Sequence, residues 1–201
     1  VPYKLFSEIV YSKWYRLTDT SASYDIRYHT SFVAFGRRVF EYVFPGLIDI
    51  HVHLSQFYAI GRYSPDLLKW LNSYIFKAEA ESSDYDFAKR IAKDFYESLL
   101  AHGTTTSVVY TSLFSSACEA AFEIAEAMGV RSIIGKTMMD VNSPDSLSET
   151  TEDSLRNSFE LFEKWNFRND LLEYVFTPRF APVCSPKLMR EVADFAGKND
   201  A

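Results

Sequence analysis

From about residue 43 onward, short segments rich in β-branched residues alternate with longer amphipathic segments, and this alternation limits the fold most. The predicted strands cover residues 43–50, 104–110, 130–139 and 172–177. An amphipathic helix is predicted after each strand, because apolar residues recur there at spacings of three and four. Four successive βα units predict a parallel sheet covered by helices, either as an open sheet or as a barrel.

Residues that favour helix ends mark the boundaries of these helices. A short helix is expected at about residues 65–76. Longer helices are expected at 115–128 and from Thr150 or Thr151 to Trp165. The expected capping and stop residues are Asp84, Gly103, Gly129, Thr150 or Thr151, and Ser185 followed by Pro186.

Residues 1–43 differ in composition from the rest of the chain. The chain has 13 Tyr, 17 Phe and 3 Trp, and twelve of these aromatic residues lie within residues 1–44. Polar and apolar residues alternate at 24–28. Alternation over a few residues is typical of short strands. We therefore predict a small β segment at 1–43, followed by the α/β part at 44–201.

Charge and composition exclude several classes of protein. The net charge is −6 with a pI of about 5.3, and no basic run is present, which argues against binding to nucleic acid or anionic membranes. No stretch approaches the roughly 18 apolar residues of a membrane span, and the first residues do not resemble a secretion signal. Two cysteines favour a reducing cytoplasm. Neither a G-x-G-x-x-G nor a Walker loop is present, which argues against a dinucleotide-binding or P-loop protein.

The segment at 45–53, P-G-L-I-D-I-H-V-H, carries the chemistry of the sequence. On a strand, Asp49, His51 and His53 share one face, and the intervening Ile and Val residues pack on the other. Two imidazoles about 7 Å apart at the carboxyl end of a strand can converge on one ion, and neutral imidazole suits Zn²⁺. Histidines that only make local hydrogen bonds are the alternative, although the Pro-Gly lead-in favours the metal site. Asp49 either supports a ligand or is a structural aspartate.

This segment resembles the first barrel strand of the amidohydrolase superfamily, P-G-x-x-D-x-H-x-H, and further blocks resemble its guanine deaminases. The blocks are Ser55-Gln56, Asp66-Leu67-Leu68-Lys69-Trp70-Leu71, His102-Gly103-Thr104-Thr105-Thr106, Gly135-Lys136, Met139-Asp140, Glu149-Thr150-Thr151-Glu152, Thr177-Pro178-Arg179-Phe180 and Cys184-Ser185. The resemblance runs from about residue 44 to the end. It implies an α/β fold of the (βα)₈ TIM-barrel type with only the first four βα units present.

The resemblance also implies roles for five residues. His51 and His53 would be zinc ligands, and Gln56, Arg179 and Phe180 would contact guanine. A Gln amide offers a donor and an acceptor, an Arg a planar donor fork, and a Phe an aromatic surface. The implied reaction is hydrolytic deamination of guanine to xanthine and ammonia, with Zn²⁺ lowering the pKa of water.

The family also needs a third histidine ligand, an acid/base glutamate, another histidine and a metal-binding aspartate, which are expected beyond Ala201. A chain of 201 residues is short for a barrel of about 250, so we expect a fragment that is inactive alone. The resemblance further implies a homodimer. One alternative is a hydrolase of the same subgroup acting on another purine, a pterin or a triazine. The other is a non-catalytic truncated barrel that binds or assembles with another chain.

Other polar and sulfur-containing residues are expected to have ordinary structural roles. The acidic run at 79–81 is predicted to be a solvated face. His102 is expected to bond backbone carbonyls at a helix end, and Asp140 to cap a loop. Cys118 is predicted to lie in the core, and Cys184, which has no histidine nearby in sequence, is not expected to be a nucleophile.

Overall fold

Four parallel strands form the main sheet of the computed structural model, which describes residues 45–199. They lie side by side in chain order: β1 (Leu47–His53), β2 (Thr104–Tyr110), β3 (Arg131–Gly135) and, beyond a short β4 (Thr137–Met138), β5 (Leu172–Tyr174). β4 pairs in parallel with β6 (Thr177–Pro178). A barrel wall keeps this sequential order, whereas doubly wound sheets reverse it at a switch point. The predicted β segment at 1–43 lies outside the described residues.

The helices follow the strands as predicted. They are α1 (Leu67–Trp70), α2 (Phe76–Glu81), α3 (Tyr85–Ala101), α4 (Ser115–Met128), α5 (Thr151–Trp165) and α6 (Pro186–Asn199). A π-helical turn at Leu71–Ile75 joins α1 to α2, so the short helix expected at 65–76 continues to Glu81. Within residues 45–199, no helix has the length and apolar character that crossing a bilayer requires.

The predicted capping residues are confirmed. Asp84, Thr150 and Ser185 each accept a hydrogen bond from the backbone N–H three residues later, at 2.6, 3.0 and 3.1 Å. These bonds satisfy N–H groups that the first turn of a helix leaves unpaired. Gly129 ends α4 in the left-handed conformation, with φ of 66°.

The third and fourth predicted strands are each interrupted, which corrects the continuous strands expected at 130–139 and 172–177. β3 stops at Gly135 and β4 starts at Thr137, while residues 175 and 176 separate β5 from β6. At the break, the Thr177 hydroxyl donates to the backbone carbonyl of Lys136 at 2.6 Å. A Cβ atom on Gly135 would overlap the Val175 carbonyl oxygen, so this close approach of the two strands requires glycine.

The first strand ends later and is more exposed than predicted. Among the described residues it covers Leu47–His53 and so continues beyond the predicted end at residue 50, while residues 43 and 44 lie outside the described part. Ile48 and Ile50 are 67% and 76% exposed instead of packed. The reason is the position of β1 at one edge of the described sheet, where β2 is the only described element that packs extensively against it.

The core lies between the sheet and its helices and contains both cysteines. Phe122 of α4 stacks on Trp165 of α5 with ring centroids 4.8 Å apart. Cys118 is fully buried, which confirms its predicted place in the core, and burial raises the pKa of its thiol to about 12. Burial also raises the pKa of Cys184. A thiol held in its neutral form is a poor nucleophile, in agreement with the expectation for Cys184.

Candidate active site

His51 and His53 converge at the carboxyl end of β1. Their Nε2 atoms are 3.2 Å apart, much closer than two same-face residues on a regular strand. The pairing register with β2 shifts between Asp49 and Val52, and an irregularity of this kind re-aims side chains. The Asp49 carboxylate accepts the backbone N–H of His51 at 3.1 Å, which gives this aspartate a local structural contact.

Tyr110 completes the surroundings of the two histidines, and the sequence analysis did not single it out. It is the last residue of β2 and pairs in register with His53. Its ring centroid lies 4.6 Å from that of His51 and 4.9 Å from that of His53. Its place at the carboxyl end of a predicted strand was the available signal, because the ends of neighbouring parallel strands meet at one edge.

The electrostatics keep His53 neutral. Burial, followed by the positive charges of Arg179 and His51, lowers the pKa of His53 to about 4. At neutral pH its imidazole is therefore uncharged, which is the form that binds metals. Its Nδ1 atom is buried and has no hydrogen-bond partner among the described residues.

The two imidazoles fit part of a zinc site. Two Zn–N bonds of about 2.0–2.1 Å at a tetrahedral angle place the nitrogens roughly 3.3 Å apart, close to the observed 3.2 Å. Between residues 45 and 199, no group of three or more His, Cys, Asp or Glu side chains is gathered as a metal site. The described residues thus supply two candidate ligands and not a complete coordination shell.

Gln56 and Arg179, the predicted base-contacting residues, are brought together through a third residue, Glu79. Gln56 lies in the 3₁₀ turn Leu54–Ala59 that follows β1, and its Nε2 donates to Glu79 Oε1 at 2.8 Å. Arg179 follows β6 and forms an ion pair with Glu79 Oε2. Its backbone N–H donates to the carbonyl of Met138 at 3.1 Å, which fixes it to β4.

The prediction of a solvated face at 79–81 is wrong for Glu79. Its side chain is 3% exposed, and that of its partner Arg179 is 8% exposed. The cause is the orientation of α2 and of the π-helical turn that leads into it, which together bury Ile75 and Glu79 four residues apart on the same helical face. Ser112 fixes this helix by donating to the Glu79 carbonyl at 2.9 Å.

Phe180 follows Arg179 in extended conformation, directly before the 3₁₀ turn Ala181–Val183. Its side chain is 49% exposed. An aromatic face that half remains in solvent is available to stack on a planar ligand.

The other singled-out residues have the structural roles expected of them. His102 Nδ1 donates to the Ser98 carbonyl at 2.7 Å, at the end of α3. Asp140 accepts the backbone N–H and the hydroxyl of Ser185 at 2.7 and 2.6 Å and the hydroxyl of Thr151 at 2.5 Å. It therefore ties together the first turns of α5 and α6.

Comparisons with known proteins agree with this architecture. A guanine deaminase of Escherichia coli strain K12 is 41% identical over 147 residues, 73% of this chain and 33% of that protein. A guanine deaminase of Dictyostelium discoideum is 38% identical over 151 residues, which cover 74% of this chain and 34% of that protein. A solved guanine deaminase from C. acetobutylicum, with guanine bound in the active site, superposes with a TM-score of 0.74 at 32% identity, covering 76% of this chain and 37% of that one.

This chain spans about a third of the length of the curated relatives that it matches. The sequence model of the amidohydrolase family matches residues 42–201, a range that includes both histidines, Gln56, Glu79 and Arg179, and all of the described strands. The chain therefore belongs to the amidohydrolase family, and the (βα)₈ barrel type expected from the sequence is confirmed for the part that it covers.

Proposed function

We propose that this chain supplies metal-binding and base-binding residues of a zinc-dependent guanine deaminase. The observation that carries the proposal is the convergence of His51 and His53 beside the pair of Gln56 and Arg179. Arg179 lies close enough for its charge to lower the pKa of His53. The similarity to guanine deaminases, one of them solved with guanine bound, supports this substrate.

His51 and His53 would hold the Zn²⁺ through their Nε2 atoms. The ion, when bound, supplies Lewis-acid activation of water at neutral pH. The burial that keeps His53 uncharged leaves its nitrogen lone pair free to bind the metal. In the net reaction one water is consumed, its oxygen becomes the carbonyl at C2 of the purine, and the C2 amino group leaves as ammonia.

Three residues would hold the base. Gln56 presents an amide to the purine edge, and Arg179 presents those guanidinium N–H groups that Glu79 does not occupy. The half-exposed ring of Phe180 offers a stacking surface.

The wider setting belongs to the same proposal. We place the reaction in purine breakdown in the cytoplasm, where two unpaired, buried cysteines would stay reduced. A homodimer is expected on the resemblance alone. The division into a β segment at 1–43 and a barrel part at 44–201 stays a prediction.

The test uses the complete natural protein that contains this sequence. We expect His51→Ala to lose zinc, measured by elemental analysis, together with guanine turnover. His102→Ala should retain both, because that histidine bonds a helix carbonyl. Arg179→Lys keeps the buried charge but loses the planar fork, so zinc should remain while the KM for guanine rises. Stoichiometric zinc in His51→Ala would overturn the metal assignment.

A second test compares turnover of guanine with turnover of other substrates. A clear preference for adenine, cytosine or melamine over guanine would replace guanine with another substrate of the same subgroup. A natural protein of about 23 kDa with neither zinc nor activity would favour a non-catalytic binding protein.

A further inference from the structure

A buried carboxylate joins the two candidate base-binding residues. Each oxygen of Glu79 has a different partner, since Oε1 accepts from Gln56 at 2.8 Å and Oε2 pairs with Arg179. The side chain is 3% exposed, so water competes little for either oxygen. A buried charge is retained at a cost unless it is paired and hydrogen-bonded, and here both conditions are met.

The carboxylate and its arginine partner are themselves fixed from several sides. The Ser112 hydroxyl holds the backbone carbonyl of Glu79, and the guanidinium of Arg179 lies 5.5 Å from the ring centroid of Phe76, one turn earlier on α2. A cation over an aromatic face gains electrostatic attraction. Arg179 is therefore held in one orientation by α2.

This arrangement determines which atoms of Gln56 remain free. A carboxylate only accepts hydrogen bonds, so the Gln56 amide must turn its NH₂ group toward Glu79. The Gln56 oxygen then points away from the carboxylate, and it can only accept. Without Glu79 the amide could present either end to a ligand.

Arg179 supplies the opposite character. Its guanidinium carries five N–H donors and no acceptor, and the ion pair with Glu79 engages NH1. The remaining donors are available to a ligand acceptor. Glu79 therefore fixes the end of the Gln56 amide at which the acceptor oxygen lies, and it leaves the other donors of Arg179 free.

We propose that Glu79 is a specificity-determining positioning residue, which fixes Arg179 opposite position 6 of the purine and the Gln56 oxygen opposite N1, so that the site accepts a 6-oxopurine and rejects a 6-aminopurine. A 6-oxopurine presents an acceptor at O6 and a donor at N1–H, whereas a 6-aminopurine presents a donor at N6 and an acceptor at N1. The first pattern places an acceptor opposite the donors of Arg179 and a donor opposite the Gln56 oxygen, whereas the second pattern places donor against donor and acceptor against acceptor. This inference rests on the proposed function and adds the residue that selects among purines.

The discriminating variant is Glu79→Gln. An amide at position 79 can still accept from Arg179 through its oxygen, but its NH₂ group then requires the oxygen of Gln56. Gln56 would have to turn around and present donors to the ligand. The test measures kcat/KM for guanine and for 2,6-diaminopurine, which keeps the 2-amino group but has a 6-amino group, in the complete natural protein. Where turnover is too slow, competitive inhibition constants replace it.

We expect Glu79→Gln to lower kcat/KM for guanine about ten- to a hundredfold, as expected for a lost or inverted hydrogen bond to a ligand. The value for 2,6-diaminopurine should stay constant or rise, so that the ratio falls at least about tenfold. Glu149→Gln is the matched control, since it neutralises another buried carboxylate, one paired with Lys136. It should leave the ratio unchanged.

A second variant covers the case in which Glu79→Gln does not fold. Gln56→Leu removes the acceptor while leaving the ion pair of Glu79 with Arg179 in place, and the same fall in the ratio is expected. Wild-type protein that does not turn over guanine would overturn the proposed function and this inference with it. Active wild-type protein whose ratio is unchanged by Glu79→Gln or Gln56→Leu would overturn the inference alone.

Discussion

Lys136 and Glu149 form a buried ion pair whose disruption has a calculable cost. The side chain of Lys136 has no exposed surface, and its ammonium donates to the two Glu149 oxygens at 2.7 and 2.9 Å. A third bond, of 3.2 Å, goes to the carbonyl of Thr137. Burial lowers the pKa of Lys136 from its ordinary 10.5, and the charge of Glu149 acts in the opposite direction. We expect Glu149→Gln to remove what keeps this ammonium protonated.

The loss of stability has an upper limit, because an unpaired lysine can release its proton. At pH 7, deprotonating a lysine of ordinary pKa 10.5 costs about 4.8 kcal/mol, at about 1.36 kcal/mol per pH unit. Removing one partner of a buried ion pair typically costs about 3–5 kcal/mol, which agrees with this limit. We therefore expect Glu149→Gln to lose about 3–5 kcal/mol of unfolding free energy at pH 7.

The direction in which the stability of Glu149→Gln changes with pH follows from the lysine pKa. Its lysine has a lower pKa in the folded than in the unfolded chain, so the unfolded state binds more protons between these two values. Stability should therefore rise with pH in that window, with a slope approaching about 1.36 kcal/mol per pH unit. In the wild type the carboxylate holds the proton on Lys136, and the slope should be smaller.

Urea unfolding followed by circular dichroism at pH 6.5 and 8.5 measures both effects. The control is Lys136→Met combined with Glu149→Gln, which leaves no charge in the pair and should recover most of the lost stability. The reasoning is refuted if Glu149→Gln alone stays within about 1 kcal/mol of the wild type at pH 6.5, below the range for a broken buried pair. It is also refuted if the single variant and the double variant show the same pH slope.

Three further predictions concern the scaffold. Gly135→Ala should lose about 1–3 kcal/mol of unfolding free energy, because its Cβ would overlap the Val175 carbonyl. Gly197→Ala, in open space on α6, should gain about 0.5–1 kcal/mol of unfolding free energy. Thermal unfolding compares the two variants, and equal shifts of their melting temperatures would contradict the packing argument. Both cysteine thiols should resist alkylation in the native protein and react after unfolding, so rapid native labelling would show that they are accessible. Burial tends to raise the pKa of Asp140, but hydrogen bonds from two helix N-termini outweigh it and lower the pKa. Asp140→Asn should therefore cost stability at pH 7, and this difference should shrink as pH falls below about 4 through the folded pKa; a difference that is constant with pH would contradict it.

Local signals determined which parts of the fold were predictable. α4 was predicted at its observed bounds because an alanine-rich stretch is followed by Gly129, which takes the left-handed conformation that ends helices. The caps at Asp84, Thr150 and Ser185 depend on contacts within three residues. The break at Lys136 was missed, because it depends on Thr177 and on a close approach of strands about 40 residues apart in the chain.

Glu79 shows how the candidate site differs from the scaffold in this respect. Two of its side-chain partners are 23 and 100 residues away, so no short pattern reveals them. One signal was present, since Ile75 and Glu79 are four residues apart, a spacing that places a carboxylate on the buried face of a helix. A charge on such a face is uncommon without a partner and is a reason to suspect a site.

The ion pair between Glu79 and Arg179 links the binding site to the folding of the whole described region. It joins α2, which carries Glu79, to the segment after β6, which carries Arg179, across 100 residues of chain. Arg179 is in turn fixed to β4 by its backbone bond to Met138. Arg179 therefore joins Glu79 and Gln56 only after the first and fourth βα units have packed together. A fold in which the selecting carboxylate is buried this way couples substrate discrimination to complete assembly, so destabilised variants should lose selectivity among purines before they lose secondary structure.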